Sequence, residues 1–441
     1  MKFSWKRRER HSSGLFGFKD EGALGRTCML VSATMEYTIS WLSSGLFYTS
    51  FLMINGIDIV NIGIITFVPY IASCFSVFSP SILERFQRRK AVLAVARGAV
   101  YALNILGITV LPNFVHDPSS RVVWFVVIVF AANIINGLFR SGYSVWHVNF
   151  IPEKVRANYF SVKMLVQSFI GCGTALVSSI IADALAGSAY EETIILIFRY
   201  AAFLMGMLDV FFLCLPKEYP YARTAAAPRL HDIIVKPFGQ KKFLMTMGIV
   251  FVYTFCANVP ASALNYYLLN DVGVEYTFVY TINMFYPFFL LAFLPLWKRI
   301  LGRLGWFRTF AWTELALLPT NLLYSFIASA NYFWLMPTVR LTQHFFGVGH
   351  NMANENMVFI NLPKADQTNY VSFHTLVTNI AAFLGMMAGT GFVAAFPDLN
   401  LTIGSFAFTN VQVLLWVQVL GELLLPLFVF RKLPQLNPDE A

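Results

Sequence analysis

The chain has 441 residues, of which 57% are hydrophobic and 12% charged, with a net charge of +9. A soluble protein of this length divides into about two or three domains under a charged surface, and so low a charge content does not supply one. Apolar runs of 20 or more residues recur from end to end, the signature of membrane helices. The short alternating segments of a transmembrane barrel are not visible.

The chain opens on MKFSWKRRER. No short apolar region with a small-residue cleavage site follows, so it does not read as a cleavable signal. It reads as a basic tail in which Phe3 and Trp5 can rest on a membrane surface. Twelve apolar spans then follow, at about 27–54, 58–83, 91–113, 122–149, 160–187, 193–215, 243–270, 275–297, 308–330, 332–361, 370–396 and 404–430. Each can cross a hydrocarbon core of ~30 Å at ~1.5 Å per residue. Spans one, four, five, seven and ten exceed that need and predict tilt, kinks or extensions. Cys28, Cys74, Cys172, Cys214 and Cys256 all fall in spans, with no CxxC among them. They read as small packing residues, with no metal or disulfide role.

The longest polar interruption, PKEYPYARTAAAPRLHDIIVKPFGQKK, lies mid-chain with six spans on each side. The expected fold is therefore an all-α polytopic membrane protein of twelve transmembrane helices in two pseudo-symmetric six-helix bundles. Its parts are a basic tail (1–26), an N-terminal bundle (27–215), a linker (216–242), a C-terminal bundle (243–432) and a C-terminal tail (433–441). Most of the 32 Lys and Arg fall in the two tails and the loops on the same side as the tails. The opposite loops hold Arg121 but carry Asp58, Asp117, Glu191, Glu192, Asp271, Glu275 and Asp398. That asymmetry predicts both termini in the cytoplasm of a cell membrane (plasma or inner). The basic excess then reads as orientation and contact with anionic lipid, with no nucleic-acid role.

The halves repeat one another. IPEKVRANYFSVKMLV (151–166) aligns without gaps on LPKADQTNYVSFHTLV (362–377), sharing Pro152/Pro363, Asn158/Asn369, Tyr159/Tyr370, Ser161/Ser372, Leu165/Leu376 and Val166/Val377. Internal repeats of this kind build many secondary transporters. After span two stands PSILERFQRRK (80–90), and after span eight KRILGRLGWFR (298–308), with Arg85 matching Arg303. The first loop resembles the Gly-x-x-x-Asp-Arg-x-Gly-Arg-Arg/Lys signature of the major facilitator superfamily. Pro80 stands for the first Gly, Glu84 for the Asp and Gln87 for the second Gly, while Arg85, Arg88 and Arg89 are kept. The resemblance covers nearly the whole chain through span number, topology and linker position, and it points to no subfamily. It implies that Glu84, Arg85, Arg88 and Arg303 form a cytoplasmic gate, with ordinary orienting charge as the plainer alternative. It also implies a central cavity lined by helices one, four, seven and ten.

Those four spans carry polar stripes. In span ten, Arg340, Gln343, His344, Gly347, Asn351, Asn354 and Glu355 fall within about one third of the circumference at ~100° per residue. Lipid cannot satisfy such groups, so they must face protein or water. In span four Asn133, Asn136, Gly137, Arg140, Ser144 and His147 share a face; span one adds Glu36, Ser40, Ser43 and Ser50 beside Phe47. Span seven adds Asn258, Ser262, Asn265, Tyr266 and Tyr267 around Pro260, which should break the helix. Hydrogen bonding between helices also accounts for scattered Ser, Thr and Asn. It accounts less well for Arg340, Glu355, Arg140 and Glu36, because charges are costly at that depth.

The residues expected to bind solute are Arg340, Gln343, His344, Asn351, Asn354, Asn133, Asn136, Arg140, Asn265 and Tyr266. The family's frequent Arg-x-x-Gln-Gly of helix four is absent, its register holding Asn133, Asn136 and Gly137. Glu36, Glu355 and Glu314 are the candidates for coupling to H+ or Na+, because a desolvated carboxylate can load and release a cation. Arg97, Arg199, Asp209 and Glu422 read as structural charges. His344 and His350 stand six residues apart and about 120° apart around the helix, so they do not form a metal pair. No catalytic order, phosphate loop, cofactor or metal motif is seen, and no enzyme is expected. The reading is a monomeric secondary transporter, a permease or symporter for a small polar or amphipathic organic solute, sugar-like by preference. Drug or lipid-like efflux and a non-transporting sensor or scaffold are the alternatives.

Overall fold

The computed structural model describes residues 15–18, 20–83, 85–148, 150–151, 153–218, 230–363, 367–404 and 406–437. Twelve helical segments follow one another through them. α1 comprises Glu21–Ser43 and Gly45–Ile54; α2 runs Ile59–Ser73 and continues through Cys74–Phe78 to Ser79–Leu83. α3 is Lys90–Tyr101, with a π-helical turn at Ala102–Gly107. α4 (Pro118–Val148), α5 (Glu153–Ala184) and α6 (Glu191–Cys214) complete the first half. A short helix, Leu230–Val235, lies in the linker. α7 comprises Lys241–Asn258, Ala261–Tyr266 and a second π turn, Tyr267–Val272. Then come α8 (Tyr276–Leu304), α9 (Trp306–Tyr324), α10 (Tyr332–Ile360) and α11 (Gln367–Ala395). A hairpin of β1 (Asn400–Ile403) and β2 (Phe406–Thr409) leads into α12 (Asn410–Leu436).

Among the described residues, nine of these segments are long and apolar enough to cross a membrane. α1, α9 and α10 fall short, each for a reason visible in its side chains. α1 is interrupted at Ser44 and carries Glu36; α9 carries Arg308, Glu314 and Asn321; α10 carries the polar stripe. Segments too polar for lipid must be covered by apolar neighbours. The molecule is a multi-pass membrane protein in which Glu314 of α9 and His350 of α10 are buried, while Trp312 and Leu322 of α9 are exposed.

Two helices break where their sequences demand it. At α1, Ser44 is extended and Gly45 takes φ 60°, a left-handed value that disfavours any residue with a Cβ. At α7, Pro260 cannot donate a hydrogen bond, and the helix stops at Asn258 and restarts at Ala261. The carbonyls around that break face glycines of α11. A Cβ on Gly389 would lie 1.8 Å from the Val259 carbonyl oxygen, and one on Gly385 2.3 Å from that of Phe255. Only a glycine lets the two backbones approach so closely.

Within the first half α1 packs on α5 and α6, α2 on α4, and α3 on α4 and α6. In the second, α7 packs on α11 and α12, α8 on α10, and α9 on α10 and α12. The halves meet along α2 with α11, α5 with α8, and the later segments of α1 and α7. One apolar core joins them at the face opposite the termini. Phe47, Phe51, Ile62 and Phe198 meet Tyr267, Val279, Tyr280 and Val411 there. At the face that carries the termini the core divides. Leu83, Leu93, Tyr143 and Phe150 cluster in the first half; Phe243, Phe307, Met357 and Leu433 form a separate cluster in the second. The repeated Tyr159 and Tyr370 are buried in these two clusters, one each.

Candidate functional site

The closed face is held by polar as well as apolar contacts. Asp183, at the end of α5, accepts the backbone N–H of Tyr276 (3.1 Å) and of Thr277 (2.5 Å) at the start of α8. A carboxylate there meets the unsatisfied donors and the positive end of the helix dipole together. Tyr276 also donates its hydroxyl to Ser50 of α1 at 2.7 Å, or accepts from it. Phe47 stacks between Phe198 and the rings of Tyr276 and Tyr280.

Below this closure each half has a polar cavity. The one in the second half measures about 380 Å³ and is lined by Arg340, Gln343, His344 and Asn351 of α10 with Glu314 and Asn321 of α9 and Glu422 of α12. Pro260 and Ala257, flanking the α7 break, form part of its wall. Arg340 lies 4.7 Å over the Tyr324 ring and donates to the Tyr324 hydroxyl (3.1 Å) and to Gln343 Oε1 (3.3 Å). Gln343 donates to Asn321 (2.9 Å), and Asn321 to Glu422 (2.9 Å). Asn351 donates to the Tyr286 hydroxyl at 3.2 Å, and His344 Nε2 lies 3.2 Å from the Ile282 carbonyl of α8. Glu314 and His350 are both buried and 3.4 Å apart.

The cavity of the first half, about 260 Å³, is lined by Glu36, Ser40 and Ser43 of α1, Arg97, Tyr101 and Asn104 of α3, and Asn136 of α4. Arg97 lies between two carboxylates. It meets Asp209 of α6 at 2.5 Å and Glu36 at 3.3 Å. Tyr101 donates its hydroxyl to Asp209 at 2.7 Å. Asp209 is fully buried, whereas the Glu36 side chain is 52% exposed into the cavity. A neighbouring hollow of about 280 Å³ takes in Glu36, Arg97, Arg140 and Lys163. Between the halves, a third cavity of about 790 Å³ is lined by Ser76, Asn136 and Arg140 on one side and His374, Thr378 and Asn379 of α11 on the other.

Thus the structure gathers Arg340, Gln343, His344, Asn351 and Glu314 around one cavity, and Asn136, Arg140 and Glu36 around those facing it. Other candidates lie elsewhere. Asn133 donates back to the Val129 carbonyl of its own helix at 2.8 Å. Asn265 is half-buried, and Tyr266 packs against the core that joins the halves. Asn354 keeps a buried Oδ1 that has no hydrogen-bond partner among the described residues. Glu355 is exposed toward the end of α10. Of the gate residues, Arg85, Arg88 and Arg303 are exposed at the face of the termini, and Glu84 lies outside the described residues, as do the side chains of Ser144 and His147.

Several site residues were not visible from helix faces alone. Arg97, Asp209 and Glu422 read as structural charges of outer helices, yet Arg97 and Glu422 line cavities. Helix period alone does not single out Asn321 and His374. The available signal was charge pairing. Arg97 and Asp209 are opposite charges inside apolar helices, and such charges seldom stand alone in a membrane.

Two six-helix halves, a polar interior and closure at one face define the major facilitator fold. Solved transporters share it over nearly their full lengths. The nucleoside transporter NupG is 14% identical, with TM-score 0.66, over 94% of this chain and 99% of that one. A D-xylose–proton symporter is 12% identical, with TM-score 0.66, over 92% and 97%. A bacterial homologue of the human lysosomal transporter Spinster, in an inward-facing and unoccupied conformation, is 12% identical, with TM-score 0.63, over 96% and 99%. No family model matches the sequence, and no curated protein is similar to it at the sequence level.

Proposed function

We propose that this protein is a secondary transporter that carries a small polar or amphipathic organic solute by alternating access. The observation that carries the reading is the division of the core. One apolar cluster bridges the halves at the face opposite the termini, while at the other face each half keeps its own buried cluster, with partly buried Val77 of α2 reaching the second. Polar, charged cavities face the gap left between them. Rocking of the halves about the shared cluster would close that gap and open the other face. The arrangement corresponds to a state open toward the termini, and the placement of Lys and Arg supports reading that side as the cytoplasmic one.

The lining favours a hydroxylated or amide-bearing solute. Asn351, Gln343 and Asn321 offer both donors and acceptors, and Tyr286 offers an aromatic ring. That the structural neighbours include nucleoside and xylose transporters fits a sugar-like cargo. Coupling to H+ or Na+ fits Glu36, whose carboxylate opens to the cavity while Arg97 remains partnered by buried Asp209. Loading a cation on Glu36 would therefore not strand the guanidinium. The test is counterflow in proteoliposomes across sugars, nucleosides and other polar solutes, with thermal-shift screening to choose among them. Saturable exchange of one class supports the proposal; a well-folded protein that exchanges and binds none of them sinks it.

A further inference from the structure

The chain of side chains from Arg340 to Glu422 has a direction. Arg340 can only donate hydrogen bonds. Gln343 must therefore turn its amide oxygen to Arg340, at 3.3 Å, and its NH₂ to Asn321. Asn321 must accept on its oxygen and pass its own NH₂ to Glu422 Oε2 at 2.9 Å. The series ends on a group that accepts. Glu422 takes Asn321 on one oxygen and Gln418 on the other, at 2.8 Å, as an ionised carboxylate does. Glu422 is 1% exposed and belongs to α12, two helices removed in contact from the α10 stripe, yet it borders the same cavity as Arg340.

We infer that Glu422 and Asn321 form a proton-responsive relay that controls whether Arg340 is free to bind solute. A proton taken from cavity water onto Glu422 Oε2, the oxygen that Asn321 bonds, makes a new O–H bond and converts that acceptor into a donor, while Oε1 still accepts from Gln418. Asn321 then presents its oxygen to that O–H by turning over, which points its NH₂ at Gln343. Two NH₂ groups cannot bond one another, so Gln343 turns as well, and its oxygen leaves Arg340. The guanidinium, still stacked on Tyr324, gains a free donor toward the cavity for a hydroxyl, carbonyl or carboxylate of the solute. Its Nε is already buried without a partner among the described residues. Release of the proton restores the series and withdraws the donor. Glu422 and Asn321 act as positioning residues; Arg340 and Gln343 make the contact.

Other charged or titratable groups surround Glu422. Glu314 and Tyr324 of α9, Arg340 and His350 of α10, and Tyr253 of α7 line the same cavity. Cys256 of α7 packs beside Gly421, and the titratable residues of α11, Tyr370 and His374, lie near that helix's start. Glu314 is the one that competes for the proton. Only Glu422 is hydrogen-bonded into the series, and Glu314 pairs with His350 instead.

The relay rests on the transporter reading for its consequence, and its test needs no solute. Infrared difference spectra of the purified protein, recorded over about pH 4–9, report protonated carboxyl groups. Glu422→Gln and Glu314→Gln assign the two bands. Gln343→Leu touches no atom of Glu422, yet it should displace the pH at which the Glu422 band appears by about one unit, the linkage expected of a hydrogen-bond series. Gln343→Met and Arg340→Lys should do the same and serve if the leucine variant misfolds. A Glu422 band that appears at the wild-type pH in these folded variants, or no Glu422 band at any pH, overturns the relay. A displaced band in a protein that moves no solute leaves the relay standing and removes the transporter reading. Transport with an undisplaced band does the reverse.

Discussion

Asn351 and Gln343 test whether the α10 stripe binds solute or holds helices together. Both line the cavity, and each makes one side-chain bond across to another helix, Asn351 to Tyr286 and Gln343 to Asn321. A net hydrogen bond is worth ~0.5–1.5 kcal/mol, so Asn351→Ala or Gln343→Ala should weaken solute binding by roughly three- to tenfold. Folded yield by size exclusion should stay close to wild type. A large loss of yield with unchanged affinity per folded molecule would mark the stripe as interhelical bonding. Glu36 tests coupling. Glu36→Gln resembles the protonated acid and leaves Arg97 with Asp209, so solute exchange should persist while accumulation driven by a pH difference disappears. A variant that still concentrates solute under that gradient places coupling elsewhere, with Glu422 of the relay, Glu314 and Glu355 next.

At the scale of elements, the closed face depends on how α5 caps α8. Asp183→Ala removes a charged acceptor from two backbone donors at 2.5 and 3.1 Å. A charge-assisted bond is worth ~1.5–3 kcal/mol. The population open at that face should therefore rise about tenfold or more. Spin labels at Ser188→Cys and Ser329→Cys, exposed on the two halves at that face, would report a longer separation. An unchanged distance distribution would mean that the aromatic cluster of Phe47, Tyr276 and Tyr280 closes the face unaided. The α7–α11 contact offers a second test. Gly389→Ala places a Cβ against the Val259 carbonyl and should cost about 1–3 kcal/mol by overpacking. Gly391→Ala, whose Cβ meets nothing within 4 Å, should unfold at the wild-type temperature.

For the whole molecule, the arrangement of charge and the division of the core make one joint prediction. α1 begins and α12 ends at the face where the halves part, and Arg85, Arg88 and Arg303 lie exposed there. Cysteines or tags at either terminus should be reached only from the cytoplasm, and those in 115–120 or 397–403 only from outside. An external C-terminus would defeat the twelve-span topology.

Much of the architecture is determined locally. Membrane-length apolar runs, the mid-chain polar linker and the repeat at 151–166 and 362–377 each report on a few neighbouring residues, because a backbone in lipid must bond within its own helix. The break at Pro260 and the stripe of α10 are legible for the same reason, since a missing donor and a helical period belong to a single segment. What faces what is decided only when the helices pack. Arg97 meets Glu36 and Asp209 across 61 and 112 residues of sequence, and Gln343 reaches Glu422 only through Asn321. Helix period gives the side of a helix on which a charge lies but not the neighbour it meets there. For that reason the outer-helix residues Arg97, Asp209, Asn321 and Glu422 entered the site only with the tertiary structure.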